Sequence, residues 1–244
     1  MRMLLATLIL SPVLLVQGRW VKKNIVRLPE PLGARTGVIG IGQPLRLLIL
    51  GDSAAAGVGV DHQDEALAGQ LVKQLSQHYQ VHWQLEATTG HTSEQVIELL
   101  KNQFEPQVYD VVVTSVGAND VTRLLSTKRW IGLQRQLLQQ IRQKFQPKLI
   151  LLTSVPPMHL FSALPQPLRW HLGQYASQMN LALAKLLATQ TDCQQITLPL
   201  EQGQRDIPLA RDGFHPSAEV YQAWAALLAG AIGGWIGDFR GRAS

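Results

Sequence analysis

A single cysteine, Cys193, stands among 244 residues. It has no partner for an internal disulfide, and it excludes a cysteine-rich zinc or iron–sulfur site. No Gly-Lys-Ser or Gly-Lys-Thr phosphate loop occurs, which removes the commonest nucleotide cradle. Charged residues make up only 16% of the chain against 46% hydrophobic ones, too apolar for disorder and sufficient for one buried core. Acidic residues are nearly missing from the first fifty positions. Glu30 there faces Arg2, Arg19, Lys22, Lys23, Arg27, Arg35 and Arg46, so the formal charge of +5 belongs to the amino-terminal arm. The remainder is close to neutral and lacks basic groups interleaved with aromatics. Nucleic acid is therefore not an expected partner.

Residues 1–23 carry the apolar run Leu4 to Val16, broken only by Thr7, Ser11 and Pro12. Thirteen helical residues reach roughly 20 Å, short of the roughly 30 Å of a bilayer core. The run suits a signal peptide, an uncleaved interfacial anchor or a hydrophobic helix packed on the domain. Arg19, Lys22 and Lys23 place more positive charge after it than before it, which argues against simple export. The expectation is either membrane association through the amino terminus or a periplasmic location, with the cytoplasmic face of a membrane as a further alternative. Residues 24–44, with Gly33, Gly37, Gly40 and Gly42, read as a linker. These glycines precede the first convincing strand, so they do not make a dinucleotide loop.

From residue 45 to 236 two periodicities alternate, before a tail at 237–244. Short apolar runs at Arg46–Leu50, Val81–Leu85, Asp110–Ser115 and Lys148–Thr153, with a weaker one at Gln195–Leu198, read as strands. Helical patterns fall at Glu65–Tyr79, Ser93–Phe104 (Ser93 as cap), Trp130–Phe145, Tyr175–Thr189 and Ser217–Ile232. The pattern predicts an α/β fold: a five-stranded, mostly parallel sheet in a three-layer αβα sandwich.

Ligands in such sheets bind beyond the carboxyl ends of strands. Gly51-Asp52-Ser53 follows the first strand, Gly90 follows the second, and Gly117-Ala118-Asn119-Asp120 follows the third. Asp212-Gly213-Phe214-His215 precedes the last helix. A serine hydroxyl becomes a nucleophile when a base takes its proton, and a carboxylate on the base's other nitrogen fixes its tautomer. Ser53, His215 and Asp212 have the chemistry for these roles. The Ser53 and Gly90 backbone N–H groups and the Asn119 amide are candidate oxyanion donors. Asp52 and Asp120 read as braces for their loops. The remaining histidines, His62, His78, His82, His91, His159 and His171, show no metal-ligand spacing, so no metal is expected. In the loop from Val155 to Trp170, Met158, Phe161 and Leu164 are candidate walls of an acyl pocket, and core packing explains the same residues equally well.

These four segments, in this order, resemble the blocks of the SGNH hydrolases, also called GDSL esterases and lipases. Gly51-Asp52-Ser53 matches the nucleophile block, Gly90 the oxyanion glycine, Gly117-x-Asn119-Asp120 the asparagine block and Asp212-x-x-His215 the acid–base block. The resemblance spans about Leu45 to Ile232 and is nearest to small bacterial members of the lysophospholipase L1-like kind. It implies a flavodoxin-like domain hydrolysing small-molecule carboxylic esters through an acyl-enzyme, with no cofactor. Short or medium acyl esters or lysophospholipids are the implied substrates. A cell-envelope carbohydrate O-acetylesterase, or a non-catalytic binding domain, are the alternatives. Two departures stand out: Ala54-Ala55-Ala56 follows the nucleophile, and Ala87 stands where an asparagine often supports the glycine.

Overall fold

A computed structural model describes residues 2–198 and 208–241. Its elements run α1 (Arg2–Asn24), β1 (Thr36–Ile39), β2 (Gln43–Gly51), α2 (Ser53–Ala56), α3 (Leu67–Leu75), β3 (Tyr79–Ala87), α4 (Ser93–Gln103) and β4 (Val111–Ser115). They continue with α5 (Ala118–Thr122), α6 (Thr127–Phe145), β5 (Leu149–Thr153), α7 (Leu168–Leu187), β6 (Cys193–Ile196) and α8 (Ala218–Gly241).

The strands form one sheet in the order β1-β3-β2-β4-β5-β6. All pairings are parallel except β1 with β3. Alternating side chains of the central strands feed two cores. Leu48, Leu50, Val112, Ile150 and Leu152 pack on one face with Ile97 of α4, Leu137 and Ile141 of α6, and Leu172 and Met179 of α7. Leu47, Ile49, Val111, Val113 and Leu151 pack on the other with Leu71 of α3 and Tyr221, Trp224 and Leu228 of α8. The unbroken apolar runs of β2, β4 and β5 are thus explained by burial on both faces. Chain order reverses between β2 and β4, so the crevice for a ligand lies past their carboxyl ends.

The sheet has six strands rather than five. The additional strand, β1, lies inside the stretch read as a linker, where it pairs antiparallel with Gln84 to Val81 of β3. Its glycines hid it, because a strand held by backbone bonds at a sheet edge needs no apolar alternation. Thr92, not Ser93, caps α4: its hydroxyl accepts from Gln95 N while the Gln95 side chain accepts from Thr92 N, a capping box. The helix α8 continues into the stretch read as a tail, whose residues 242–244 lie outside the described residues.

The amino-terminal apolar segment is a helix lying on the domain. Leu14 is buried in the first core, and Gln17 donates to Gln166 O (2.6 Å) and accepts from Leu168 N (3.1 Å) at the start of α7. Among the described residues one helical stretch, Ala218–Gly237 of α8, is long and apolar enough by length and composition to cross a membrane. Its inner stripe of Val220, Tyr221, Trp224, Leu228 and Ile232 is buried in the second core, as in a core helix.

Candidate active site

Gly51 ends β2 where no side chain fits: an added Cβ would lie 2.2 Å from Ser115 O of β4 and 2.6 Å from the Ala55 side chain. Glycine lets the two strand ends stay close, and Asp52 N then donates to Ser115 O at 3.0 Å. The chain turns at once into the short helix α2. Asp52 caps it by accepting from Ala54 N (3.1 Å), which leaves Ser53 at its first position facing the crevice. Asp52 is 2% exposed. Burial pushes its carboxyl up to about 7, and the Ala54 N–H and the nearby His215 only partly offset that.

His215 arrives from the other end of the chain on a tight turn. Gly213, at φ +66°, closes it, and Asp212 Oδ1 accepts from the backbone N–H groups of Phe214 and His215, each at 3.0 Å. The second Asp212 oxygen, Oδ2, lies 2.5 Å from His215 Nδ1, and His215 Nε2 lies 2.9 Å from Ser53 Oγ. An ionised Asp212 accepts only, so the imidazole proton sits on Nδ1 and the Nε2 lone pair faces the serine hydroxyl. Burial raises the Asp212 carboxyl, but the His215 ring bond and the two backbone N–H groups outweigh it, leaving the group below its ordinary value. Acid, base and hydroxyl are therefore brought into one hydrogen-bonded line across 162 residues of sequence.

The two other loops follow β3 and β4, the strands that flank β2 in the sheet. Thr88 O accepts from His91 N (3.2 Å) across a turn whose third residue, Gly90, has φ +86°. That is the geometry of a type II turn, which requires a residue tolerant of positive φ. Among the described residues the backbone N–H groups of Ser53 and Gly90 have no intramolecular acceptor. Asn119 Nδ2 donates one proton to His91 O (2.9 Å), tying the asparagine to the glycine loop. Asp120, buried beside it, accepts from Ser93 N (3.1 Å) and Ser93 Oγ (2.8 Å), and Gln134 Nε2 donates to the same hydroxyl. Burial raises the Asp120 carboxyl, with the Ser93 bonds pulling against it. Asp120 thereby fastens the β4–α5 turn to the start of α4.

A cavity of about 60 Å³ opens beside Ser53 and His215, lined among others by Thr153, Phe161, Leu209, Phe214 and Trp224. Of the three residues assigned to an acyl wall, only Phe161 reaches it. All three are nevertheless buried in the first core, where the turn at Met158–Leu160 packs against α7. Leu209 and Trp224 carried no recognisable signal in the sequence, whereas Phe214 sits within the Asp212 to His215 block. Among the described residues no group of three or more His, Cys, Asp or Glu side chains is arranged to hold a metal.

The sequence profile of the GDSL-like Lipase/Acylhydrolase family matches residues 49–223. No curated protein matches the chain. Among solved structures, the lipase Lip_vut3 from a goat rumen metagenome is similar with a TM-score of 0.63 and 18% identity, covering 77% of this chain and 97% of that one. The psychrotrophic esterase EstA from Pseudoalteromonas sp. gives a TM-score of 0.58 at 17% identity, over 79% of this chain and 98% of its own. Axe2, an acetylxylan esterase from Geobacillus stearothermophilus, gives 0.55 at 18%, over 80% and 96%. At such identities the likeness is one of fold.

Proposed function

The chain belongs to the GDSL-like lipase/acylhydrolase family and is an ester hydrolase of the serine type; from that premise we propose that it cleaves esters of short acyl groups, with Ser53 as nucleophile. The observation that carries this reading is the Asp212–His215–Ser53 line opening on a cavity of only about 60 Å³. Ser53 Oγ attacks the ester carbonyl carbon as His215 Nε2 takes its proton, and Asp212 holds the imidazolium that forms. The carbonyl oxygen, now negative, is met by the Ser53 and Gly90 N–H groups and the second Asn119 amide proton. Collapse of the adduct breaks the bond to the alcohol, which leaves with the proton from Nε2. Water activated by His215 then repeats the sequence on the acyl-enzyme.

A mostly apolar slot of this size favours a short acyl group over the long chain of a lysophospholipid. Hydrolysis of p-nitrophenyl esters from acetyl to palmitoyl, by wild type beside Ser53→Ala, tests the reading. The expected profile is Ser53-dependent and peaks at the short end. A peak at palmitoyl, or activity equal in both proteins, would refute it. An acetylated cell-envelope sugar is the natural alternative within this class, since its acyl group is the same and only the alcohol side differs.

The helix α1 supplies a further partner for the same enzyme, an anionic lipid surface. Leu8, Ile9, Val13, Val16 and Trp20 remain exposed on its outer side, and Arg19, Lys22 and Lys23 follow at its end. Because Leu14 and Gln17 fasten the helix to the domain, it lies along an interface rather than across it. Sedimentation with anionic vesicles, lost in high salt and absent with neutral vesicles, is the expected outcome. Equal recovery with and without vesicles would remove this partner.

A further inference from the structure

We propose that Glu30 and Arg35 are positioning residues that hold the Thr88–His91 turn so that the Gly90 N–H faces the reacting carbonyl. The inference rests on the reading of Gly90 as an oxyanion donor. Both residues lie outside the segment matched by the family profile, which begins at residue 49. They come from the stretch that composition marks as a linker.

One carboxylate oxygen of Glu30, Oε1, accepts from both Thr89 N (2.8 Å) and Thr89 Oγ1 (2.7 Å). The other, Oε2, is paired with Arg35 Nη1 at 2.8 Å. Arg35 Nη2 in turn donates to Ala87 O, the last residue of β3, and Arg35 O accepts from Leu85 N at 2.7 Å. The pair therefore grips the residue entering the turn and the strand end that precedes it. Burial raises the Glu30 carboxyl, yet the Thr89 bonds and Arg35 outweigh it, and the group lies below its ordinary value.

The turn needs such a grip. The Gly90 N–H belongs to the Thr89–Gly90 peptide, the central peptide of the turn. Type I and type II turns differ chiefly in which way this peptide faces, and glycine at the third position permits both. Nothing packs on Gly90: a Cβ added there would meet no atom within 4 Å. The far side is anchored by Asn119 on His91 O and by the α4 capping box. On the near side, backbone bonding supplies Thr88 N to Gly51 O at 3.2 Å, and Thr89 is held through Glu30. Ala87, the departure from the family pattern, presents its backbone carbonyl to Arg35.

The test compares wild type, Glu30→Ala, Glu30→Gln and Thr89→Val on p-nitrophenyl acetate, with inhibition by a phenylboronic acid as an oxyanion mimic and with unfolding midpoints. Glu30→Ala should lower kcat by roughly tenfold to a hundredfold, less than complete loss of a donor, with KM nearly unchanged. Boronate affinity should fall by a similar factor while the unfolding midpoint moves by no more than about 4 °C. Glu30→Gln, which retains an acceptor for Thr89, should recover part of the loss. Thr89→Val, which deletes only the hydroxyl bond, should give a smaller fall in the same direction and serves where Glu30→Ala does not fold. Ser53-dependent wild-type activity with kcat of Glu30→Ala within twofold, or a loss confined to KM, overturns the positioning role alone. If Glu30→Ala does not fold, an unchanged kcat and boronate affinity in Thr89→Val overturn it. Wild-type activity that persists in Ser53→Ala, or no wild-type hydrolysis and no boronate binding, overturns the esterase reading and this inference with it.

Discussion

Replacing Asp52 by asparagine should make the protein more stable at alkaline pH and leave it nearly unchanged in acid. Asp52 is 2% exposed, and burial lifts its carboxyl from the ordinary 3.8 to about 7 despite the Ala54 N–H and His215. A raised carboxyl binds its proton more tightly in the folded state than in the unfolded one. Its contribution is therefore fully present below 3.8 and is lost as pH rises through about 7. The separation between these values corresponds to on the order of 4 kcal/mol, a ceiling because a relaxing site and water entry reduce it. Asparagine keeps an acceptor for Ala54 N and carries no charge at any pH. Urea unfolding of both proteins from pH 4 to pH 9 measures the difference directly. The variant's advantage should grow by up to about 1.4 kcal/mol per pH unit between these limits and then level off. A difference between the two proteins that stays constant across the range would refute the argument, since it would mean that Asp52 does not change its protonation on this scale.

Three further outcomes follow from the same geometry. Asn119→Ala should cost about 3 kcal/mol of transition-state stabilisation, seen as a fall in kcat with KM little changed. Loss of its bond to His91 O should also loosen the Gly90 turn, readable as faster hydrogen exchange there. Asp212→Asn should lower kcat by about 10³ to 10⁴, because an amide facing Nδ1 favours the wrong imidazole tautomer. In wild type, the stabilisation from Asp212 is present above the ordinary carboxylate pKa and is lost as pH falls through its depressed folded value. Asp212→Asn should accordingly flatten the acid limb of the urea-unfolding profile. Trp224→Ala removes the largest side chain lining the Ser53 cavity and should move the preferred acyl chain to longer esters; an unchanged chain-length profile would show that the acyl group lies elsewhere.

The central sheet is legible in the sequence because burial on both faces leaves only apolar residues. Val111-Val112-Val113 and Leu149 to Leu152 have no other economical reading. The residues of the candidate site were legible for a related reason: Ser53, Gly90, Asn119 and Asp212 to His215 each follow a strand or precede a helix, where short polar segments carry chemistry. Their placement was not legible. Whether His215 reaches Ser53 across 162 residues depends on how strand ends and the final turn are packed, not on either segment alone. Met158, Phe161 and Leu164 are alike in composition and all buried in the first core, and only tertiary packing decides that Phe161 alone of the three also lines the cavity. The edge strand β1, lying among glycines, is made by backbone bonds to β3, which leave no mark on side-chain periodicity. Glu30 shows the same division most sharply. By itself it is one acid among basic residues; its hydrogen bonds to Thr89 exist because β1 returns the chain beside β3. Local composition and periodicity therefore determined which residues form the sheet and which carry reactive groups. Long-range pairing, whose energy depends on geometry rather than on neighbouring sequence, decided what each of those groups touches.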